Sequence, residues 1–399
     1  MLSRARRWQK GRCEKLATDL VVVGRGPAGL LLSSLAVQAG AAVSVVADGL
    51  GTLPLWGGQW DFRSYDTDGA PITDPYAWWR AREPHTSPPG VTRGWLAYWQ
   101  HLAALWTEMG IAVNPPGPNN QWTVTPLGHL RPTYLAPSWQ YTTDKPSPVI
   151  FVGVPGLTDF VPTAMARVYE WATGATAYTM MLETPPAWRE TWNALNWAWF
   201  LDAPGGQEWL MRVLRGRSLP SEGPLLFPQI LGVDHAQAFI AELAKTLSRR
   251  VAEVPLPPVS VGGIRVQRRW DRWLRHHAVP FISGRVHRAE PDQVVLADGR
   301  KVTARVVLAT GGVLGGGLLV EADGTVRDAV TGVAVSFGEH DDLATVGYLE
   351  TTGPIPVVGR MVKGWNPDQY GEGGAMILST VHAVHQRLMR HSLETGTWR

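Results

Sequence analysis

The sequence predicts an α/β protein of two lobes, and three observations predict it. A buried strand runs directly into a glycine-rich turn near the N-terminus. Strands alternate with helices through the middle of the chain. A late hairpin then feeds a last apolar strand and a glycine-led helix. With 399 residues the chain can bury a large core.

The first element reads Asp19-Leu-Val-Val-Val-Gly24-Arg-Gly26-Pro27-Ala28-Gly29 and continues with small and apolar residues at helical spacing. A strand that turns at once into a helix leaves backbone N–H groups unpaired at the helix start. Those donors and the positive end of the helix dipole suit a pyrophosphate. Gly24 permits the tight turn, Gly26 lets phosphates approach the backbone, and Gly29 lets helix and strand pack closely. A second strand, Ala42 to Ala47, ends at Asp48, about 19 residues after Gly29. That position suits a carboxylate that accepts hydrogen bonds from an adenosine ribose. Within Ala-Asp48-Gly-Leu-Gly it equally suits a turn former. The unit therefore reads as a Rossmann-like dinucleotide site. The glycine- and tryptophan-rich turn Gly49 to Gly58 would pass beside the cofactor.

Residues 64–92, rich in Pro, Asp and Thr, read as irregular surface. Helical spacing runs from Trp95 to Met109 and stops at Gly110. Pro126 to Ala136 reads as a turn between short strands. Pro148 to Val154 is a continuous apolar strand with a helix, Thr163 to Thr173, after it. Gly223 to Gly232 and a helix from His235 to Leu247 repeat that alternation. From Pro257 a basic amphipathic helix, Gly263 to His276, precedes a hairpin that turns at Asp298-Gly299. The strand ending Ala309-Thr310-Gly311 follows. Gly373 and Gly374 open a last helix through Ile377, Val381, Val384 and Leu388.

The net charge is only +3 and the basic residues are scattered, so no nucleic-acid partner is expected. Residues 1–16 form a basic extension without a signal-peptide apolar run, either disordered or the product of an upstream start codon. No run of 18 apolar residues suggests a membrane span. Cys13 is the single cysteine, which rules out an internal disulfide and a four-cysteine iron–sulfur cluster and fits a cytoplasmic protein. His276 and His277 lack metal-ligand spacing, so no metal is expected. Most of the 20 tryptophans are expected to fill the core.

The N-terminal dinucleotide unit, the Ala-Thr-Gly strand and the glycine-led last helix resemble flavoproteins of the glutathione-reductase and succinate-dehydrogenase type. The resemblance implies a Rossmann-like FAD/NAD(P)-binding flavoprotein fold with an inserted α/β cap lobe. It also implies that Ala309, Thr310, Gly311, Gly373 and Gly374 contact the cofactor, beside Gly24, Gly26, Pro27, Ala28, Gly29 and Asp48. The last helix would aim its N-terminus at the flavin ring.

Five further segments are similar to the B-subunit of anaerobic glycerol-3-phosphate dehydrogenase. They are Val124 to Thr133, Val152 to Phe160, Phe227 to Gly232, Leu256 to Arg265 and Val307 to Val320. This resemblance implies a flavoprotein beside a catalytic flavin subunit and an iron–sulfur subunit. Together they oxidise sn-glycerol 3-phosphate to dihydroxyacetone phosphate and pass electrons toward quinone. Any contact with the inner face of the cell membrane would be made through those partners. The family is described with FMN. The glycine turn argues for FAD, because FMN has no pyrophosphate to cradle, and both stay open.

That chemistry needs a base for the hydroxyl proton and cations for the phosphate. The candidate catalytic residues are His129, Arg131 and Arg265, with His235 and His382 as further candidate bases. The expected lobes are 17–65 with 258–399 for the cofactor, and 66–257 as a cap or subunit-interaction lobe. Two alternative functions remain: a free-standing FAD oxidoreductase acting on another small substrate, and a non-catalytic flavin-fold scaffold.

Overall fold

The computed structural model describes residues 18–81, 94–113, 116–186, 192–310, 318–335, 349–363 and 373–395. The extension 1–16, with Cys13, and Gly311 lie outside the described residues.

Strand β1 (Leu20–Val23), helix α1 (Pro27–Gln38) and strand β2 (Val43–Ala47) form the expected β-α-β unit. All four residues of β1 are buried, because it lies in mid-sheet with neighbours on both edges. Helix α1 is buried over most of its length. Its two interior serines turn their hydroxyls back to main chain, Ser33 to the Gly29 carbonyl and Ser34 to that of Leu30.

After a 3-10 turn at Leu53–Leu55 comes a short helix, α2 (Pro75–Arg80). It corrects the reading of 64–92 as irregular throughout. Asp74 caps it by accepting the Ala77 N–H, and Pro75 stands at its first position. Helix α3 (Trp95–Glu108) follows. A small antiparallel sheet then takes the order β4-β3-β5 from β3 (Gln121–Val124), β4 (Leu130–Thr133) and β5 (Thr142–Thr143).

The middle of the chain builds a second parallel sheet from β6 (Val149–Gly153), β7 (Ala177–Met181), β8 (Leu225–Pro228) and β9 (Val251–Val254). Its order is β7-β6-β8-β9, all parallel. Between these strands run α4 (Pro162–Thr173), α5 (Ala194–Asp202), α6 (Pro204–Arg215) and α7 (Ala236–Thr246). Buried apolar strands connected by helices are what a parallel sheet requires.

Helix α8 (Val261–His276) starts two residues before the expected Gly263, because the Ser260 hydroxyl caps it at the Gly263 N–H. The chain then returns to the first sheet through β10 (Phe281–Ser283). The hairpin of β11 (Val286–Glu290), β12 (Gln293–Leu296) and β13 (Lys301–Thr303) leads into β14 (Arg305–Leu308). The first sheet is thus parallel in the order β10-β2-β1-β14, with Val22 between Val45 and Val307. A short pair, β15 (Leu318–Val320) and β16 (Val326–Asp328), precedes the last helix, α9 (Gly373–Thr395). The observed architecture is the α/β, Rossmann-like class the sequence predicts.

Tryptophan fills the joint between these parts. The buried Trp60 ring lies 6.5 Å from Trp99 and 6.1 Å from Trp106 on α3, and 6.4 Å from Trp270 on α8. Trp270 is held further by its indole N–H, which donates to Ser34 Oγ on α1.

Candidate functional site

The glycine turn is locked from both sides. The Gly24 N–H donates to the Val46 carbonyl, and the Ala309 N–H donates to that of Val23. Gly24 has φ +120°, and a Cβ there would stand 2.5 Å from the Ala309 carbonyl oxygen. A Cβ on Gly29 would overlap the Gly24 carbonyl. These two glycines are demanded by the protein's own packing. Gly26 is different: a Cβ there would meet only Thr52 Oγ1, at 3.9 Å. Its backbone is extended, and helix α1 begins after it with Pro27 and without a side-chain cap or an acidic residue in its first turn. The leading N–H groups of α1 thus have no side-chain cap, and the Cβ direction of Gly26 beside them is open, the arrangement an anionic group can use.

The loop after β2 closes over this turn. A Cβ on Gly51 would lie 2.7 Å from the Gly26 nitrogen, so the loop approaches as only glycine allows. It brings Thr52 to the open side of Gly26, a residue that single-residue reading missed although its glycine-rich segment was placed beside the cofactor. Asp48 is exposed just past β2. Arg25 points away from the turn, to Asp271 on α8, and its guanidinium lies 4.7 Å from the Phe281 ring centroid.

Residues from the far end of the chain converge on the same place. Thr310, at the end of β14, is buried with its hydroxyl toward the Met361 sulfur. The 3-10 turn Gly359–Met361 lies against the start of α1: a Cβ on Gly359 would stand 2.8 Å from Ala28 Cβ. The Gly359 N–H is tied to Thr380 on α9 at 3.0 Å.

The N-terminus of α9 meets a second cluster, centred on Asp61. The Ala375 N–H donates to the Asp61 carbonyl at 3.0 Å. A Cβ on Gly374 would lie 2.6 Å from that same oxygen, so a residue with a side chain would push α9 away. The Asp61 carboxylate accepts from Thr133 Oγ1 at 3.0 Å and is ion-paired with Arg131 Nη2. This carboxylate holds the Arg131 guanidinium more firmly protonated than usual. Tyr65 stands nearby. Burial raises its phenol above the ordinary value, with the Arg131 charge pulling the other way and Asp61 adding to the rise. The structure thus joins Arg131, Gly373 and Gly374 in one neighbourhood, with Asp61 and Thr133 as members that the sequence did not single out.

Other expected residues fall elsewhere. Arg265 is corrected as a phosphate clamp: its side chain is 1% exposed and already committed. Its Nη1 and Nη2 each donate a hydrogen bond to the Glu253 carboxylate, and its Nε donates to the Gly232 carbonyl at 2.7 Å. Glu253 also accepts the N–H groups of Ile230 and Leu231. Arg265 therefore fastens α8 to the second sheet. His129 is exposed on the turn before β4, with its ring 6.2 Å from Trp171. His235 is exposed at the start of α7. His382 is removed as a base. It is buried on α9, stacked on Tyr98 at 3.8 Å, and burial together with His101 and His385 lowers its pKa to about 3.

Among the described residues no group of three or more His, Cys, Asp or Glu side chains could hold a metal ion. No helix among them is long and apolar enough to cross a membrane.

No family model matches the chain. Whole-length relatives do exist. The B-subunit of anaerobic glycerol-3-phosphate dehydrogenase from Pectobacterium carotovorum is 26% identical over 424 aligned residues, covering 94% of this chain and 99% of that protein. The protein of the same name from Pectobacterium atrosepticum is 26% identical over 421, covering 93% and 98%. Among solved structures, a 3-ketosteroid-Δ4-(5α)-dehydrogenase from Rhodococcus jostii overlays at 13% identity. It covers 74% of this chain and 46% of that one, with a TM-score of 0.28, a likeness too slight to bear weight. The chain is similar to these B-subunit proteins along nearly its full length, as its motifs suggested.

Proposed function

We propose that this chain is the accessory flavoprotein subunit of an anaerobic-type glycerol-3-phosphate dehydrogenase, with FAD bound across the Gly24–Gly29 turn. The observation that carries the cofactor reading is the uncapped start of α1 beside Gly26, whose Cβ direction is open while its glycine neighbours are packed shut. The full-length relatives named for that dehydrogenase support the subunit reading. FAD is favoured over FMN because only a dinucleotide has the pyrophosphate that such a helix start stabilises.

Bound flavin supplies a two-electron acceptor for hydride from a hydroxyl-bearing carbon. The chain's own residues do the rest. The N–H groups after Gly26, with Thr52 beside them, would hold the pyrophosphate, and Asp48 the ribose. Ala309 and Thr310, with Gly311 next in sequence, would bring main chain along the dinucleotide. Gly373 and Gly374 would present the positive end of α9 to the redox end of the cofactor. Arg131 would receive the substrate phosphate. His129, two positions before it, is the candidate that takes the hydroxyl proton. In this reading residues 17–65 and 258–399 form the cofactor lobe, and 66–257 the cap or subunit-interaction lobe.

Electrons would leave through a partner iron–sulfur subunit toward quinone, with a catalytic flavin subunit alongside. The setting would be the cytoplasm, with any membrane contact made through partners. An anaerobic titration of the purified chain with sn-glycerol 3-phosphate, alone and with its co-purifying subunits, tests this reading. Bleaching of the flavin bands in the assembly is the expected result. A chain that assembles with partners but holds no flavin would instead be a scaffold.

A further inference from the structure

We propose that Asp61 is a positioning residue that pins one edge of the Arg131 guanidinium at the N-terminal end of α9 and leaves the other edge for the phosphate of a small phosphomonoester. The inference rests on the proposed function for its ligand class, and on the geometry of the Asp61 cluster for its mechanism.

Asp61 is tied at three points, to α9 and to two residues of β4, both distant in sequence. Its main-chain carbonyl accepts the Ala375 N–H in the first turn of α9. One carboxylate oxygen accepts from Thr133 Oγ1 at 3.0 Å, and the other pairs with Arg131 Nη2. The segment that carries it is fixed by main-chain bonds between Trp60 and Leu135 in both directions. A carboxylate held this way does not swing, so the arginine bound to it does not either.

Arg131 by contrast uses only one nitrogen. Among the described residues Nε and Nη1 have no hydrogen-bond partner, and the side chain is 31% exposed. A planar guanidinium with one corner fixed and a free edge presented is pre-organised for bidentate contact with a phosphate. The start of α9 is bonded to the main chain of Asp61, so the positive end of that helix lies on the same residue that holds Arg131. Arg265, the other arginine suggested by sequence, is fully committed inside the protein and cannot compete for this role.

Asp61 also has a contrary effect, because its own charge repels an incoming anion. The two effects have opposite signs in one variant. The full-length chain is titrated calorimetrically with inorganic phosphate and, separately, with sn-glycerol 3-phosphate. Saturable binding is expected for the wild type, abolished in Arg131→Met. Asp61→Asn is expected to weaken binding about tenfold, the size of one lost charge-assisted hydrogen bond. Asp61→Glu should recover part of the loss. If Asp61→Asn does not fold, Thr133→Val removes only the second anchor of the carboxylate and should weaken binding about two- to threefold. Equal or tighter binding by Asp61→Asn, or by Thr133→Val where that variant decides, overturns the proposal. So does a wild type that binds neither anion. Flavin content, read from the absorption of the same samples, is independent. A colourless chain that binds phosphate through Arg131 would sink the flavin reading and leave this one standing, and a yellow chain that binds no phosphate would do the reverse.

Discussion

Gly24 lies so close to Ala309 that a Cβ on the glycine would stand 2.5 Å from the alanine's carbonyl oxygen. Strands β1 and β14 of the first sheet therefore end at a point where a side chain cannot be tolerated. Gly24→Ala faces both this contact and a φ of +120°. It should destabilise the fold by about 3 kcal/mol or more. Gly26→Ala should leave the thermal midpoint nearly unchanged, since only Thr52 Oγ1 lies near, while reducing retained cofactor. Melting curves and the flavin-to-protein absorbance ratio of the two variants separate packing glycine from ligand-facing glycine.

The Arg265–Glu253 pair gives a second expectation. Arg265→Met leaves the Glu253 carboxylate, itself fully buried, without its counter-charge. Loss of one partner from such a pair costs about 3–5 kcal/mol. Pairing it with Glu253→Gln should give a total well below the sum of the two single changes, because they remove one interaction. Chemical denaturation measures all three. A large effect of Arg265→Met on phosphate affinity with unchanged stability would contradict the structural role.

Acid should loosen the contact of α3 with α9. His382 has its pKa lowered to about 3 by burial and by neighbouring His101 and His385, both of which are also shifted down, chiefly by burial. The unfolded chain takes up a proton at this residue near the ordinary value of about 6.5, and the folded chain does not until far lower pH. Stability is therefore lost as pH falls from about 6.5 toward 3, by up to about 1.4 kcal/mol per pH unit for this group. His382→Phe keeps a ring for stacking on Tyr98 and should flatten that slope. Melting temperatures between pH 7 and pH 5 provide the check.

How much of this was legible depended on whether the deciding contact was local. The β-α-β unit was readable because its apolar run, its glycines and the next strand sit within one short stretch. Helix α2 was hidden because Asp74 and Pro75 cap a helix of only six residues in a Pro- and Thr-rich stretch. Asp61 carried no signal at all: Arg131 and Thr133 lie 70 and 72 residues further on, and the start of α9 lies near the other end of the chain. Arg265 looked available because α8 is strongly basic, yet it stands on the buried side of that helix with Val266, Trp270 and Trp273. Helical spacing shows where an apolar stripe lies, but not that a distant glutamate will draw an arginine into it.

A dinucleotide flavin on the Gly24–Gly29 turn is read by the absorption spectrum of the purified chain, followed by extraction and chromatography of what it holds. Flavin bands with FAD released, and with cofactor lost in Gly26→Ala, are the expected result. FMN alone, or a colourless protein that takes up no added flavin, would mean that the Gly24–Gly29 turn does not hold a dinucleotide flavin.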